Sequence, residues 1–183
     1  MNRLENLLKR NGINKSKVKD IFYKEIMNEV FILCFNALKN ENKKEKLKDS
    51  LRKSQNRYAE NIVYKNFISQ VTPLDLNDED YSYIITLLKA SLNRLEQRVS
   101  LSDEERREIL GNQNNQCVFC GKKITNLHDD CHIDHIIPFY YTGDELTDNY
   151  QALCSSCNEE KGSKVSFLTQ LIAKGKLHLL KQK

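Results

Sequence analysis

The sequence lacks any long apolar run. No stretch reaches the ~20 apolar residues that a membrane-spanning helix requires, so we predict no membrane partner for this chain. The first ten residues also lack the uninterrupted apolar core of a secretory signal. Internal repeats and low-complexity linkers are absent as well. We therefore expect an ordinary globular protein of the cytoplasm, with the length of one domain or of a small domain plus a helical region.

Acidic side chains are missing from the end of the chain. Residues 161–183 carry six lysines and no acid, whereas residues 111–160 carry two basic and eight acidic side chains, a formal charge of −6. An acidic segment does not attract a polyphosphate by itself. If the partner is a nucleic acid, a divalent metal and the flanking basic segments must supply the attraction.

Four of the six cysteines form two CxxC pairs, Cys117 with Cys120 and Cys154 with Cys157. Two such pairs can hold one tetrahedral zinc ion. Four thiolates leave no open coordination position, so this zinc would be structural. The other two cysteines lie outside the pairs. We expect Cys34 to be packed in a helix, and Cys131 has two interpretations, a packed side chain or an alternative thiol ligand.

The segment between the cysteine pairs sets a carboxylate beside an imidazole. It reads His132-Ile133-Asp134-His135-Ile136-Ile137-Pro138, and Asn149 follows after a loop. The imidazole of His135 can take a proton from water near neutral pH, and such a pair is typical of a metal-dependent hydrolytic site. Neighbours on a strand point to opposite faces. Asp134 and His135 therefore act at one centre only if the backbone bends or the metal lies at the end of the strand.

Residues 110–165 resemble the HNH endonucleases of the ββα-metal fold, in the branch whose site is bracketed by two CxxC pairs. The elements that match are Asp134-His135-Ile136-Ile137-Pro138, Asn149, Asn158-x-x-Lys161-Gly162 and the four cysteines. The resemblance implies that Asp134 and Asn158 bind one catalytic Mg²⁺ or Mn²⁺ and that His135 is the general base. It also implies that Asn149 orients the strand of the base through backbone hydrogen bonds.

Three further residues have two interpretations each. His132 either contacts the scissile phosphate or the metal, or is structural. Lys161 and Lys164 follow the helical metal ligand, and either contact nucleic-acid phosphates or are solvated.

Apolar residues at helical spacing predict about four helices in residues 1–100. The first spans residues 2–10, and the second runs from Ser16 to about Asn40 with a core-facing stripe. A third carries Leu47, Leu51, Tyr58 and Ile62, and Asn77 caps a fourth. The residues of the predicted stripe are Val18, Phe22, Ile26, Val30, Leu33, Ala37 and Leu38.

A capping box at Ser102 and Glu105 opens a short helix that runs to about Leu110. A last helix is predicted from Ser166. We therefore predict the α+β class: a mostly helical region at 1–100, a zinc-stapled ββα-metal module at 101–165, and a basic C-terminal helix at 166–183.

The resemblance implies a metal-dependent endonuclease that hydrolyses DNA, with restriction or anti-phage defence as plausible settings. Two alternatives stay open: a non-catalytic zinc module that binds nucleic acid or protein, and an RNA-cutting toxin. The N-terminal helices would bind DNA, a protein partner or a second copy of the chain. Residues 39–57 carry eight basic and three acidic side chains, and are either a phosphate-binding surface or a solvated helix face.

Overall fold

The computed structural model describes residues 3–165, 167–174, 176 and 180. Within these residues the chain forms nine α-helices and one antiparallel sheet of two strands. No helix among them combines the length and the apolar character that crossing a membrane requires. The elements in chain order are α1 (Arg3–Arg10), α2 (Lys15–Ala37), α3 (Glu41–Arg52), α4 (Arg57–Val71), α5 (Asp78–Asn93), α6 (Asp103–Asn112), β1 (His132–His135), α7 (Phe139–Thr142), β2 (Tyr150–Leu153), α8 (Ser155–Lys161) and α9 (Leu168–Ala173).

The predicted α+β class is confirmed, and the capping signals in the sequence fix several helix starts. Asn77 caps α5 and Ser102 caps α6, each in a capping box in which the carboxylate of the third helical residue accepts the backbone N–H of the cap. A last helix is observed as α9, but the predicted extent of 166–183 was too long, because α9 ends at Ala173 with Lys174 as its C-cap. Its predicted start at Ser166, together with Gly175, His178, Leu179, Lys181 and Lys183, lies outside the described residues.

The prediction of a single third helix was wrong, because two helices, α3 and α4, cover that region. Asn56 separates them. Its backbone is extended, and its side chain accepts the backbone N–H of Ala59, so a new helix begins at Arg57. The helical region therefore holds five helices up to residue 93 rather than four.

The predicted core stripe of α2 was wrong for three of its members. Phe22, Ile26 and Leu33 are about half exposed, whereas Val18, Val30 and Leu38 are buried as predicted. The helix is buried on two sides, so Met27, Phe31 and Cys34 also contribute to the core. A stripe at a spacing of 3.6 residues cannot show that a helix is covered over a wider arc.

The apolar core consists of two clusters, and α2 contributes to both. In one, Leu8 and Val18 pack with Phe119 and Leu153 of the C-terminal part. In the other, α2, α4 and α5 surround Ile137, which follows β1. The sheet is therefore held against the N-terminal helices at both ends. The division of the chain into the predicted domains stays a prediction.

Candidate active site

The four paired cysteines lie together in the structure. Their sulfur atoms are all within 4.8 Å of one another, and the Sγ atoms of Cys120 and Cys154 are 3.7 Å apart. Zinc–sulfur bonds of about 2.3 Å at tetrahedral angles require sulfur separations of roughly 3.8 Å. The donor set and its spacing are therefore compatible with one structural zinc ion. Cys131 is buried elsewhere in the core and is not part of this group.

Each cysteine pair lies on a tight turn. In the first, Gly121 has a φ of 74° and its N–H donates to the carbonyl of Cys117, a conformation that favours glycine. In the second, Cys154 is the N-cap of α8 and Cys157 lies in its first turn. The second pair therefore fixes where α8 begins.

The thiols of Cys120, Cys154 and Cys157 have shifted pKa values. Burial acts to raise the pKa of Cys154, but the hydroxyl of Ser156 and the N–H of Cys157 outweigh it and hold that pKa at about 6. Burial and the nearby thiols raise the pKa of Cys157 and of Cys120. Binding of a metal to all four sulfurs must therefore release protons.

Asp134 lies on β1 and faces α8. Its Oδ2 is 2.7 Å from Nζ of Lys161, and Gln151, its partner on β2, donates to the same oxygen at 3.3 Å. Lys161 is only 3% exposed, and its Nζ also donates to the carbonyl of His135. Its ammonium group is thus committed to β1. Its predicted contact with nucleic acid stays a prediction.

His135 is the last residue of β1 and is buried, at 9% exposure. Its Nε2 lies 2.6 Å from Oδ1 of Asp144, in the loop that follows α7. The hydroxyl of Tyr150, which is the partner of His135 on β2, donates to the same oxygen at 2.6 Å. The backbone N–H of Val99 donates to the other carboxylate oxygen at 2.7 Å. His135 therefore belongs to a hydrogen-bonded network of four residues that runs from the buried imidazole to the exposed Val99.

Asn149 is buried directly before β2. Its Oδ1 accepts the backbone N–H of Ile137 at 2.7 Å, and its Nδ2 donates to the carbonyl of Ile137 at 2.8 Å. Its own carbonyl accepts the N–H of Ile136. These three bonds hold the chain just after His135 in a fixed conformation.

The other predicted site residues lie at the edges of this region. Asn158 is half-buried on α8, three residues before Lys161 and thus on the same face of the helix. That face is turned toward β1, since Lys161 contacts Asp134 from it. His132 and Lys164 are exposed, and Lys164 donates to the carbonyl of Glu160.

The family comparison agrees with this geometry. Residues 117–167 match the family model of the HNH endonucleases. This segment, called the HNH segment hereafter, is similar to the HNH endonucleases. The match begins at Cys117, ends at Phe167 and covers under a third of the chain. Its two limits lie close together in the structure, since the ring centroids of Phe119 and Phe167 are 5.6 Å apart. A search of curated proteins finds no match to the chain.

The HNH segment and the chain before it together form one cleft of about 440 Å³ around the end of β1. Asp134 and His135 both line it, together with Tyr150. Both side chains thus reach one cleft at the end of the strand, which is one of the two arrangements that the sequence left open. Two arginines from outside the match, Arg98 and Arg106, line the same cleft.

The oxygen donors at this place fit a hard divalent cation. Asp134 offers a half-buried carboxylate, and the α8 face that bears Asn158 lies against the same strand. One carboxylate, one amide and several waters or phosphate oxygens are a ligand set that Mg²⁺ accepts. The ammonium group of Lys161 already pairs with the Asp134 carboxylate, so a metal ion bound there would share this carboxylate with Lys161.

Sequence reasoning missed Asp144, Tyr150, Val99 and the two arginines. Tyr150 could have been found from the register of the hairpin, which pairs it with His135. Asp144 and Val99 carry no such signal. Asp144 contacts His135 from the loop that follows α7, and Val99 reaches Asp144 because the segment after α5 folds back over that loop.

Proposed function

We propose that this protein is a metal-dependent endonuclease that hydrolyses phosphodiester bonds in DNA. The HNH family implies nuclease activity, and the observation that supports it here is the cleft in which Asp134 and His135 meet beside α8. In the proposed reaction, His135 takes a proton from the water that attacks phosphorus. Asp134 and Asn158 would hold the divalent ion, whose chemistry is to neutralise charge on the scissile phosphate.

Asn149 and Lys161 have supporting tasks in this proposal. Asn149 would orient the base by fixing the backbone of Ile137, and Lys161 would hold the β1 backbone through the carbonyl of His135. His132 is exposed on the same face of the sheet as Asp134, which leaves both of its interpretations available. The cysteine cluster would stabilise the segment and take no part in the reaction.

The positive charge at the cleft comes from outside the acidic HNH segment. Arg98 packs its guanidinium over the ring of Phe139 at 4.8 Å, and Arg106 has a buried Nε with no hydrogen-bond partner among the described residues. We assign contacts with substrate phosphates to these two arginines. The basic face of α3 is less suited, because Lys44, Lys48 and Arg52 are paired with acids of the same helix.

The N-terminal helices carry an exposed apolar face, which supports self-association or a protein partner. Leu4, Phe22, Ile26 and Leu33 are each about half exposed on α1 and α2. Light scattering on the purified chain would decide between a monomer and a dimer. Restriction or anti-phage defence would follow if the cleaved DNA is foreign.

Cleavage of supercoiled plasmid tests the proposal. The wild-type chain should convert the plasmid with Mg²⁺ at low salt and should not do so with EDTA. His135→Ala should lose about 10²-fold or more in rate, while DNA binding, measured by fluorescence anisotropy, survives. His128→Ala is the matched control, since the side chain of His128 is 65% exposed and, among the described residues, is paired only with Asp103.

The other outcomes separate the alternatives. Binding without cleavage by the wild-type chain would support the non-catalytic zinc module. Cleavage of a labelled RNA but not of the plasmid would support the RNA-cutting toxin. Equal cleavage by wild type and His135→Ala would contradict the role of His135.

A further inference from the structure

The acid nearest to His135 is Asp144, which no sequence motif marks. Its carboxylate lies 2.6 Å from Nε2, and the two side chains are 9% and 11% exposed. A contact this short between buried groups is a strong hydrogen bond with a fixed geometry. The pair therefore constrains where the imidazole carries its proton.

The carboxylate itself is held from three sides. Tyr150 donates to Oδ1 and the N–H of Val99 donates to Oδ2. Gly143, directly before it, has a φ of 59°, and a Cβ atom there would lie 3.2 Å from Cβ of Arg94. The loop thus lies against the segment after α5, and the two donors hold the carboxylate in its place beside His135.

The charge of Asp144 is stable in this setting. Burial acts to raise its pKa, but hydrogen bonds from Tyr150, Val99 and His135 outweigh it and lower that pKa below the ordinary value. Burial and the carboxylate together raise the pKa of Tyr150 to about 12, so the phenol remains a donor. Asp144 therefore accepts hydrogen bonds and has none to give.

We infer that Asp144 is a positioning residue that holds His135 in the tautomer with the proton on Nε2. An ionised carboxylate can only accept, so Nε2 must carry the hydrogen of the 2.6 Å contact. Nδ1 is then the nitrogen with the lone pair. Among the described residues nothing hydrogen-bonds to Nδ1, and His135 lines the cleft.

This inference rests on the proposed function, and it assigns the role of general base to Nδ1 of His135. Nδ1 takes one proton from water as the water oxygen bonds to phosphorus. The bond from phosphorus to the leaving oxygen breaks, and that oxygen takes a proton from a second water. The imidazolium formed on His135 faces the Asp144 carboxylate, which stabilises its charge until Nδ1 returns the proton to solvent.

The decisive measurement is the tautomer of His135 in the full-length chain, with zinc supplied. Two-bond ¹H–¹⁵N spectra distinguish the two neutral tautomers, and the His135 signals are those that disappear in His135→Gln. We expect the Nε2–H pattern in wild type and a mixture in Asp144→Ala. The kcat of Asp144→Ala for plasmid cleavage should fall about 10²-fold, with KM within twofold. Glu145→Ala, the exposed neighbour, should match wild type.

Every result decides the inference. An Nδ1–H pattern in wild type would overturn it, as would an Asp144→Ala variant with the kcat of Glu145→Ala. If Asp144→Ala does not fold, the tautomer of the wild-type chain decides alone. If the wild-type chain does not cleave DNA, the proposed function fails, and the tautomer still shows whether Asp144 orients His135.

Discussion

The two ends of the β1–β2 hairpin are ordered in different ways. At one end, four cysteines from two short CxxC motifs converge within 4.8 Å. At the other end, His135 is held by Asp144, which in turn is held by Tyr150 and by Val99 from outside the family match. A metal ion can order the first end almost by itself, because ligand bonds are strong and directional. The second end depends on several weaker contacts that come from distant parts of the chain.

Loss of the cysteine cluster should have the largest effect. We expect Cys154→Ser to abolish zinc binding and unfold the segment, because the apparent free energy of structural zinc binding is about 10–16 kcal/mol. Metal analysis and limited proteolysis would show less than one zinc per chain and rapid cleavage after residue 110.

Cys131→Ala is the control for the cluster. Cys131 is also buried, but its sulfur lies outside the group of four. The Cys131→Ala variant should keep one zinc per chain and lose only about 1–2 kcal/mol of unfolding free energy. Full zinc content in Cys154→Ser would contradict the assignment of Cys154 as a zinc ligand.

The second-largest effect should follow from removal of the buried ammonium group of Lys161. Lys161→Met leaves the Asp134 carboxylate and the carbonyl of His135 without this partner. Loss of one member of a buried pair costs about 3–5 kcal/mol, and we expect the lower end because Asp134 is 21% exposed. Urea unfolding would measure it. Lys164→Met is the control on an exposed neighbour, and equal stability of the two variants would show that the buried pair contributes nothing.

The same contrast explains what the sequence could predict. The cysteine cluster follows from spacing alone, because each CxxC turn brings its own two ligands together. The motif predicted Asp134 and His135 on one strand followed by a helix, but it left open whether they meet through a bend or at the end of the strand. The partners of His135 did not, because Asp144 and Val99 have no local pattern and meet only when the helical region packs on the sheet.

The fold shows a similar division. The starts of α5 and α6 were predictable, because the side chains of Asn77 and Ser102 act on the next few residues. The break between α3 and α4 and the exposed side chains of α2 were not predicted. Which side of α2 is covered depends on contacts with elements far away in the sequence, including Ile137.

A smaller effect should follow from Gly143→Ala. The new methyl group would meet Cβ of Arg94 at 3.2 Å and the carbonyl of Leu95 at 3.3 Å, at a φ of 59°. Such strain costs about 1–3 kcal/mol, and the displaced loop should weaken the contact of Asp144 with His135. Thermal unfolding and plasmid cleavage would measure both effects.

Gly111→Ala is its matched control. No atom lies within 4 Å of a Cβ at Gly111, which is in α6. Alanine should stabilise this helix by about 0.5–1 kcal/mol and leave cleavage unchanged. A Gly143→Ala variant that is as stable and active as Gly111→Ala would show that the loop has room to adjust.

The smallest effect should be a dependence on alkaline pH in Tyr150→Phe. Burial and Asp144 raise the pKa of Tyr150 to about 12, whereas an unfolded tyrosine has a pKa of about 10. The folded state thus favours the neutral phenol. Its contribution to stability is fully present below pH 10 and is lost as the pH rises toward 12. Tyr150→Phe should therefore cost about 1 kcal/mol at pH 8, and the difference from wild type should shrink at pH 11.5.

Urea unfolding of both chains at the two pH values would measure this difference, with Tyr58→Phe as control because Tyr58 is 76% exposed. A difference that stays constant between pH 8 and pH 11.5 would mean that the folded state does not favour the neutral phenol of Tyr150. A difference that shrinks would mean that burial and the hydrogen bond to Asp144 keep the phenol neutral, as expected. In that case the end of the hairpin that bears His135 is stabilised in part through Asp144, the carboxylate that we infer to orient His135, whereas four cysteines converge at the other end.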